Sequence, residues 1–163
     1  MKITLKALAS VLAIVSVLVI SSCGGDSNPE PSIEDQQLAK LSATWTISDV
    51  TLDGVNKKSD YPTTFQLLIS GTAGATSFGY TAGPLPANRP AYSPWPASGT
   101  WAFGANPETQ IIRDEAKPAD KKDLTYALSA DGTKLTISFD FSGTGYPART
   151  SNVTGAWVFT FTK

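Results

Sequence analysis

Among 163 residues there is one cysteine, Cys23, and no histidine. Chemistry that needs an imidazole, whether a Ser/His/Asp or Cys/His nucleophile or a Cys/His metal cluster, is therefore absent from the sequence. A single thiol cannot form an internal disulfide. Asp114-Glu115 is the nearest thing to a carboxylate pair, but adjacent residues on a strand point to opposite faces and do not share a site. Lys57-Lys58 and Lys121-Lys122 read as solvated loop charges. Asn152-Val153-Thr154 matches the glycosylation acceptor pattern of eukaryotic secretory systems. No catalytic residue, metal ligand or cofactor is expected. The net charge of −1 favours neither nucleic acid nor an anionic lipid surface.

What stands out instead is the stretch 82–97, Ala-Gly-Pro-Leu-Pro-Ala-Asn-Arg-Pro-Ala-Tyr-Ser-Pro-Trp-Pro-Ala. Connections this long without regular structure are uncommon in compact domains and are often functional. Its prolines lower the cost of ordering it, while Tyr92 and Trp95 offer stacking faces and Arg89 a fork of donors. Together with Tyr80 on the strand leading in, Arg89, Tyr92 and Trp95 are the candidate residues for a ligand or partner. The competing reading is a lid that packs Trp95 and Tyr92 over the end of the fold, because large aromatics usually bury themselves.

Cys23 belongs to a different argument. Lys2 and Lys6 precede an apolar run from Ala7 to Ile20, too short to span a bilayer comfortably and arranged as an export signal. It ends in Ile20-Ser21-Ser22-Cys23-Gly24, which resembles the bacterial lipobox; in such proteins the cysteine is acylated and becomes the new N-terminus. An ordinary secretory signal that happens to end near a cysteine is the alternative. Removal of Lys2 and Lys6 with residues 1–22 leaves 11 basic against 14 acidic side chains, a net charge of −3. Residues 23–32, polar and carrying two prolines, read as a flexible tether, and residues 33–163 as one domain.

Within that domain, Ser32 caps a short helix in which Glu34 and Asp35 favour the positive end and Ile33, Leu38 and Leu41 lie towards one side. The stretch Asp123–Ser142 then sets the pattern for the rest. Leu124, Tyr126 and Leu128 share one face, as do Leu135, Ile137, Phe139 and Phe141, on either side of Asp131-Gly132, where a glycine can take φ > 0. Eight such strands are expected, at about 44–52, 63–70, 75–82, 98–104, 109–114, 123–130, 133–142 and 153–162. The last one suits pairing with the first. The spacing predicts an all-β fold: an eight-stranded antiparallel up-and-down β-barrel with a short N-terminal helix, with a β-sandwich as the rival. Asp49 falls on the inward parity of Trp45 and Ile47, which places a carboxylate in the interior or, since that is costly, marks a bulge in the first strand. Ile111 and Ile112 are adjacent, so one of them faces away from the core.

The helix leading into Leu41-Ser42-Ala43-Thr44-Trp45, with the strands and the lipobox, resembles the lipocalin-like lipoproteins common in Bacteroidota. Pro96-Ala97-Ser98-Gly99-Thr100-Trp101 and Gly155-Ala156-Trp157-Val158-Phe159-Thr160-Phe161 are similar to segments of one group among them. Lipocalins carry Gly-x-Trp at the first strand, where this chain has Ala43, and an arginine near the last strand that packs on the tryptophan ring; Arg149 lies before the last strand here. The resemblance implies a lipocalin-like barrel, anchored to the outer membrane through lipidated Cys23. Two functions are compatible with it. One is a non-catalytic binding module, taking a small apolar ligand in the barrel or a glycan or envelope protein at the loop 82–97. The other is a structural or assembly subunit of an outer-membrane complex, with a filled barrel. A ligand inside requires a cavity larger than a few waters, against ten aromatic side chains on the inward parity.

Overall fold

Alternation of apolar and polar side chains produces one antiparallel sheet that closes on itself. In a computed structural model, which describes residues 30–85, 93–146 and 153–163, the strands are β1 (Ala43–Leu52), β2 (Val55–Asn56), β3 (Gln66–Ser70), β4 (Phe78–Gly83), β5 (Ser98–Phe103), β6 (Gln110–Arg113), β7 (Lys122–Leu128), β8 (Lys134–Phe141) and β9 (Gly155–Thr162). Eight of them follow one another round the barrel, and β9 pairs with β1 to close it. The chain thus has the all-β, eight-stranded antiparallel barrel with one short helix that its pattern predicts. The two-residue β2, not expected from the sequence, extends a hairpin from the end of β1. Residues Pro31–Lys163 form one compact unit. Cys23, Arg89, Tyr92, Arg149 and Asn152 lie outside the described residues.

β1 pairs with β9 through Thr46↔Thr162 and Ile47↔Phe161, then resumes at Asp49↔Thr160, so Ser48 is the extra residue of a bulge. Its hydroxyl donates to the Thr160 carbonyl (3.0 Å). The extra residue flips the parity of everything after it. Val50 therefore points into the core, and Asp49 turns aside to accept from the Asn56 amide (2.9 Å).

Helix α1 (Ile33–Leu41) starts where Ser32 Oγ accepts from the Asp35 amide (3.1 Å). It closes one end of the barrel with its second half, burying Gln37, Leu38 and Leu41. Ile33, expected on the same side, is 54% exposed because it stands a turn ahead of the residues that meet the barrel. Trp45 Nε1 donates to the Leu41 carbonyl (2.8 Å), fixing the helix to β1. The cation over the Trp45 ring is Lys163, with Nζ 4.7 Å from the ring centre.

Antiparallel alternation gives the two ends different characters. The helix end carries α1 and the connections 71–77, 104–109 and 129–133; the opposite, loop end carries 53–65, 114–121 and the described residues that follow β4 and β8. The interior between them is packed with rings, among them Phe159 stacked with Phe139, Trp157 and Phe161 at 5.6 to 6.1 Å.

Candidate functional site

The loop end is closed by a backbone bridge and by the side chains packed beneath it. Residue 93 pairs with residue 146 across it, Ser93 N donating to the Tyr146 carbonyl (3.0 Å) and Tyr146 N to the Ser93 carbonyl (2.8 Å). From this bridge Trp95 enters the barrel, 2% exposed, with Tyr80, Phe139 and Phe159 round it at 5.7, 5.6 and 6.0 Å, all close to edge-on. Of the four candidates from the loop, the structure therefore brings together Tyr80 and Trp95, both buried, while Arg89 and Tyr92 are not among the described residues.

Next to Trp95 lies a charged pair. β6 alternates, so Ile111 and Arg113 face inward while Ile112 is half-buried on the other side. Arg113 is 1% exposed. Its guanidinium carbon sits 5.0 Å from the Trp95 ring centre and 5.4 Å from that of Phe139. Nη1 donates to the Pro94 carbonyl (3.1 Å), whereas Nε and Nη2 have no hydrogen-bond partner. Burial lowers the pKa of Arg113 from its ordinary value, opposed by Tyr80 and Asp114. An arginine nonetheless holds its proton there, because its ordinary pKa is so high.

The strand ends at Arg113, and Asp114 turns into the left-handed region (φ 51°), equally buried. Its Oδ2 accepts from the Tyr80 hydroxyl (2.8 Å) and lies 3.7 Å from Arg113 Nε; its Oδ1 accepts from the Thr100 amide (3.0 Å). Gly99 makes this approach possible. It faces Tyr80 in the β4–β5 register, and a Cβ there would lie 2.1 Å from Asp114 Oδ1. Burial raises the Tyr80 hydroxyl pKa, with Arg113 opposing and the Asp114 bond adding to it, so Tyr80 is a neutral donor. Glu115, by contrast, is exposed and pairs with Lys121 at 3.6 Å.

Leu41, Leu67, Ile69, Tyr80, Trp101 and Arg113 are among the residues that line the interior cavity, whose volume is about 10 Å³. That is the size at which one water just fits. With Trp95 in place the barrel has no room for a resident ligand. Among the described residues no group of His, Cys, Asp or Glu could hold a metal ion, and no helix is long and apolar enough to cross a membrane.

The sequence marks Asp114 only as the neighbour of Glu115 on a strand and does not single out Arg113. The signal was the parity of Ile111, which places Arg113 inside two residues later. No family model matches this chain, and no curated protein or solved structure matches it either.

Proposed function

We propose that this chain is a lipid-anchored protein of a bacterial cell envelope, held at the outer membrane through acylated Cys23, and that it works as a non-catalytic binding module through its loop end. The observation that carries the reading is the asymmetry of the barrel. The helix end is shut by α1 and short turns, whereas the Ser93–Tyr146 bridge, Trp95 and the buried Arg113–Asp114–Tyr80 group all belong to the loop end. The order of charge, apolar run and Ile20-Ser21-Ser22-Cys23 supports the anchor, as does the resemblance to lipocalin-like lipoproteins. Recognition sites commonly sit on loops held by a rigid scaffold, which this arrangement matches.

The packed interior favours a second reading, a solid barrel serving as a structural subunit of an outer-membrane assembly. Native mass spectrometry of the protein extracted from its own membrane tests both. A chain beginning at Cys23 with acyl groups, carrying a small molecule or glycan, is the result expected of an anchored binding module. A fixed stoichiometry with another envelope protein and no small ligand supports the assembly subunit. An unacylated chain overturns the anchor.

A further inference from the structure

Trp95 belongs to no strand and occupies the barrel as a guest would. Three rings surround it, and the Arg113 guanidinium lies over its face. Yet the guest and the host do not match in hydrogen bonding. Trp95 brings a donor, Nε1–H, which finds no acceptor, to a place where Arg113 Nε and Nη2 are two further donors without one. These two nitrogens form one edge of the guanidinium, the edge that grips a carboxylate through two parallel bonds. Asp114 does not fill it, because its Oδ2 is committed to Tyr80 and stands 3.7 Å from Nε. Buried donors left unpaired are rare enough to need a reason.

Charge narrows the occupant further. Arg113 and Lys117 both lie 3.7 Å from the Asp114 carboxylate, and Asp120, which the Tyr146 hydroxyl holds at 2.5 Å, adds a second negative charge to the surroundings of Arg113. Among the described residues these four charges cancel, so the occupant that enters through the free edge is held to the smallest charge that still offers two acceptor oxygens, one carboxylate, and a dianion would overload the group. The 10 Å³ of free space means that the occupant must replace the Trp95 ring rather than join it.

We propose that the slot filled by Trp95 is a binding site for a flat, apolar monocarboxylate, which displaces the Trp95 side chain and accepts from Arg113 Nε and Nη2. The inference rests on the loop end being the binding end. Trp95 then acts as an internal stand-in, keeping the slot dry until a better-matched ring arrives.

Indole-3-acetate, indole and tryptamine share one ring and differ in charge, which makes them suitable probes for calorimetric titration of the mature chain. Trp95→Gly should bind indole-3-acetate at least about tenfold more tightly than tryptamine, the scale of a charged two-bond contact. Adding Arg113→Met should erase that preference and leave indole binding intact. Equal binding of the three probes to Trp95→Gly overturns the proposal, because the slot then reads shape alone. Should that variant not fold, wild-type protein labelled with 5-fluorotryptophan decides the matter. The Trp95 ¹⁹F resonance, assigned with Trp95→Phe, should move to a solvent-exposed position with millimolar indole-3-acetate, and an unmoved resonance overturns displacement. Either failure leaves the loop end as a surface for a glycan or protein, which the native mass measurement tests separately.

Discussion

At the helix end, apolar closure and hydrogen bonding agree. Leu38 and Leu41 fill the opening, Trp45 Nε1 reaches the Leu41 carbonyl, and the Tyr126 hydroxyl donates to the Pro107 carbonyl beside Gln37. At the loop end, a tryptophan with an unpaired N–H sits on an arginine with two unpaired nitrogens, and both left-handed non-glycine residues among those described, Asp53 and Asp114, are found there. Such backbone positions disfavour a side chain and persist only where their surroundings hold them. The difference separates closure that serves stability from closure that gives stability up. One end is sealed with leucines, while the other carries a buried ion pair whose desolvation cost an apolar closure avoids.

Asp114→Asn gives the largest expected effect, because asparagine tolerates the left-handed backbone and isolates the loss of charge. The amide nitrogen takes the place of an oxygen that accepts from Tyr80 or from Thr100 and cannot accept there, and Arg113 loses its nearest counter-ion. A loss of about 3 to 5 kcal/mol in urea unfolding is expected, as for other broken buried pairs. Arg113→Met also breaks the pair, but Asp114 keeps Lys117 at 3.7 Å and its Tyr80 and Thr100 donors, so the loss should be smaller, about 1 to 3 kcal/mol. If Arg113→Met proves as damaging as Asp114→Asn, the pair is a net stabiliser and the contrast between the ends collapses.

Gly99→Ala comes next. The new Cβ would meet Asp114 Oδ1 at 2.1 Å and the Tyr80 ring at 2.7 Å, and neither group is free to yield, because each is tied to the other. Overpacking of this kind typically costs about 1 to 3 kcal/mol. The same measurement in a Tyr80→Phe background sharpens the point. There the Asp114 carboxylate has lost one tether and can shift, so Gly99→Ala should be milder; an undiminished loss would mean that the strand backbone and not the site objects.

The barrel was legible in the sequence because period-two alternation survives in most strands, and even the bulge announced itself through Asp49 falling on the wrong parity. β2 was not legible, since two exposed residues carry no periodicity. The expected strands beginning at 63 and 75 start instead at Gln66 and Phe78, for reasons that lie in local bonding: the Phe65 amide turns back to the Pro62 carbonyl (3.0 Å) and the Ala75 amide to that of Thr72 (3.1 Å). At the site, Tyr80 and Trp95 were legible as aromatics near the proline-rich stretch. Arg113 and Asp114 were not, because a charged residue inside a barrel contradicts its own hydropathy and only tertiary partners reveal why it is tolerated.

The smallest effect belongs to the helix end, in the turn between β7 and β8. Gly132 takes φ 68° there, as its place in the hairpin requires, and Asp131 gathers the Ser129 hydroxyl (2.5 Å), the Thr133 amide (3.1 Å) and the Thr133 hydroxyl (2.9 Å). These bonds, that of Ser129 foremost, pull the Asp131 pKa from 3.8 down to about 2. A carboxylate held lower in the folded chain than in the unfolded one contributes stability fully above the ordinary value and loses it as pH falls towards the lowered one. Asp131→Asn should therefore weaken the fold slightly at neutral pH, and its deficit against wild type should shrink between pH 3.8 and about 2. Because the turn is fully solvated, the deficit should be small and should leave the binding of indole-3-acetate to Trp95→Gly unchanged. Paired urea titrations across that pH interval, with a carboxylate NMR titration of Asp131, measure both quantities. A deficit of the same size at every pH would show that the turn depends on the shape of the side chain and not on its charge, and a change in probe affinity would show that the two ends are coupled after all.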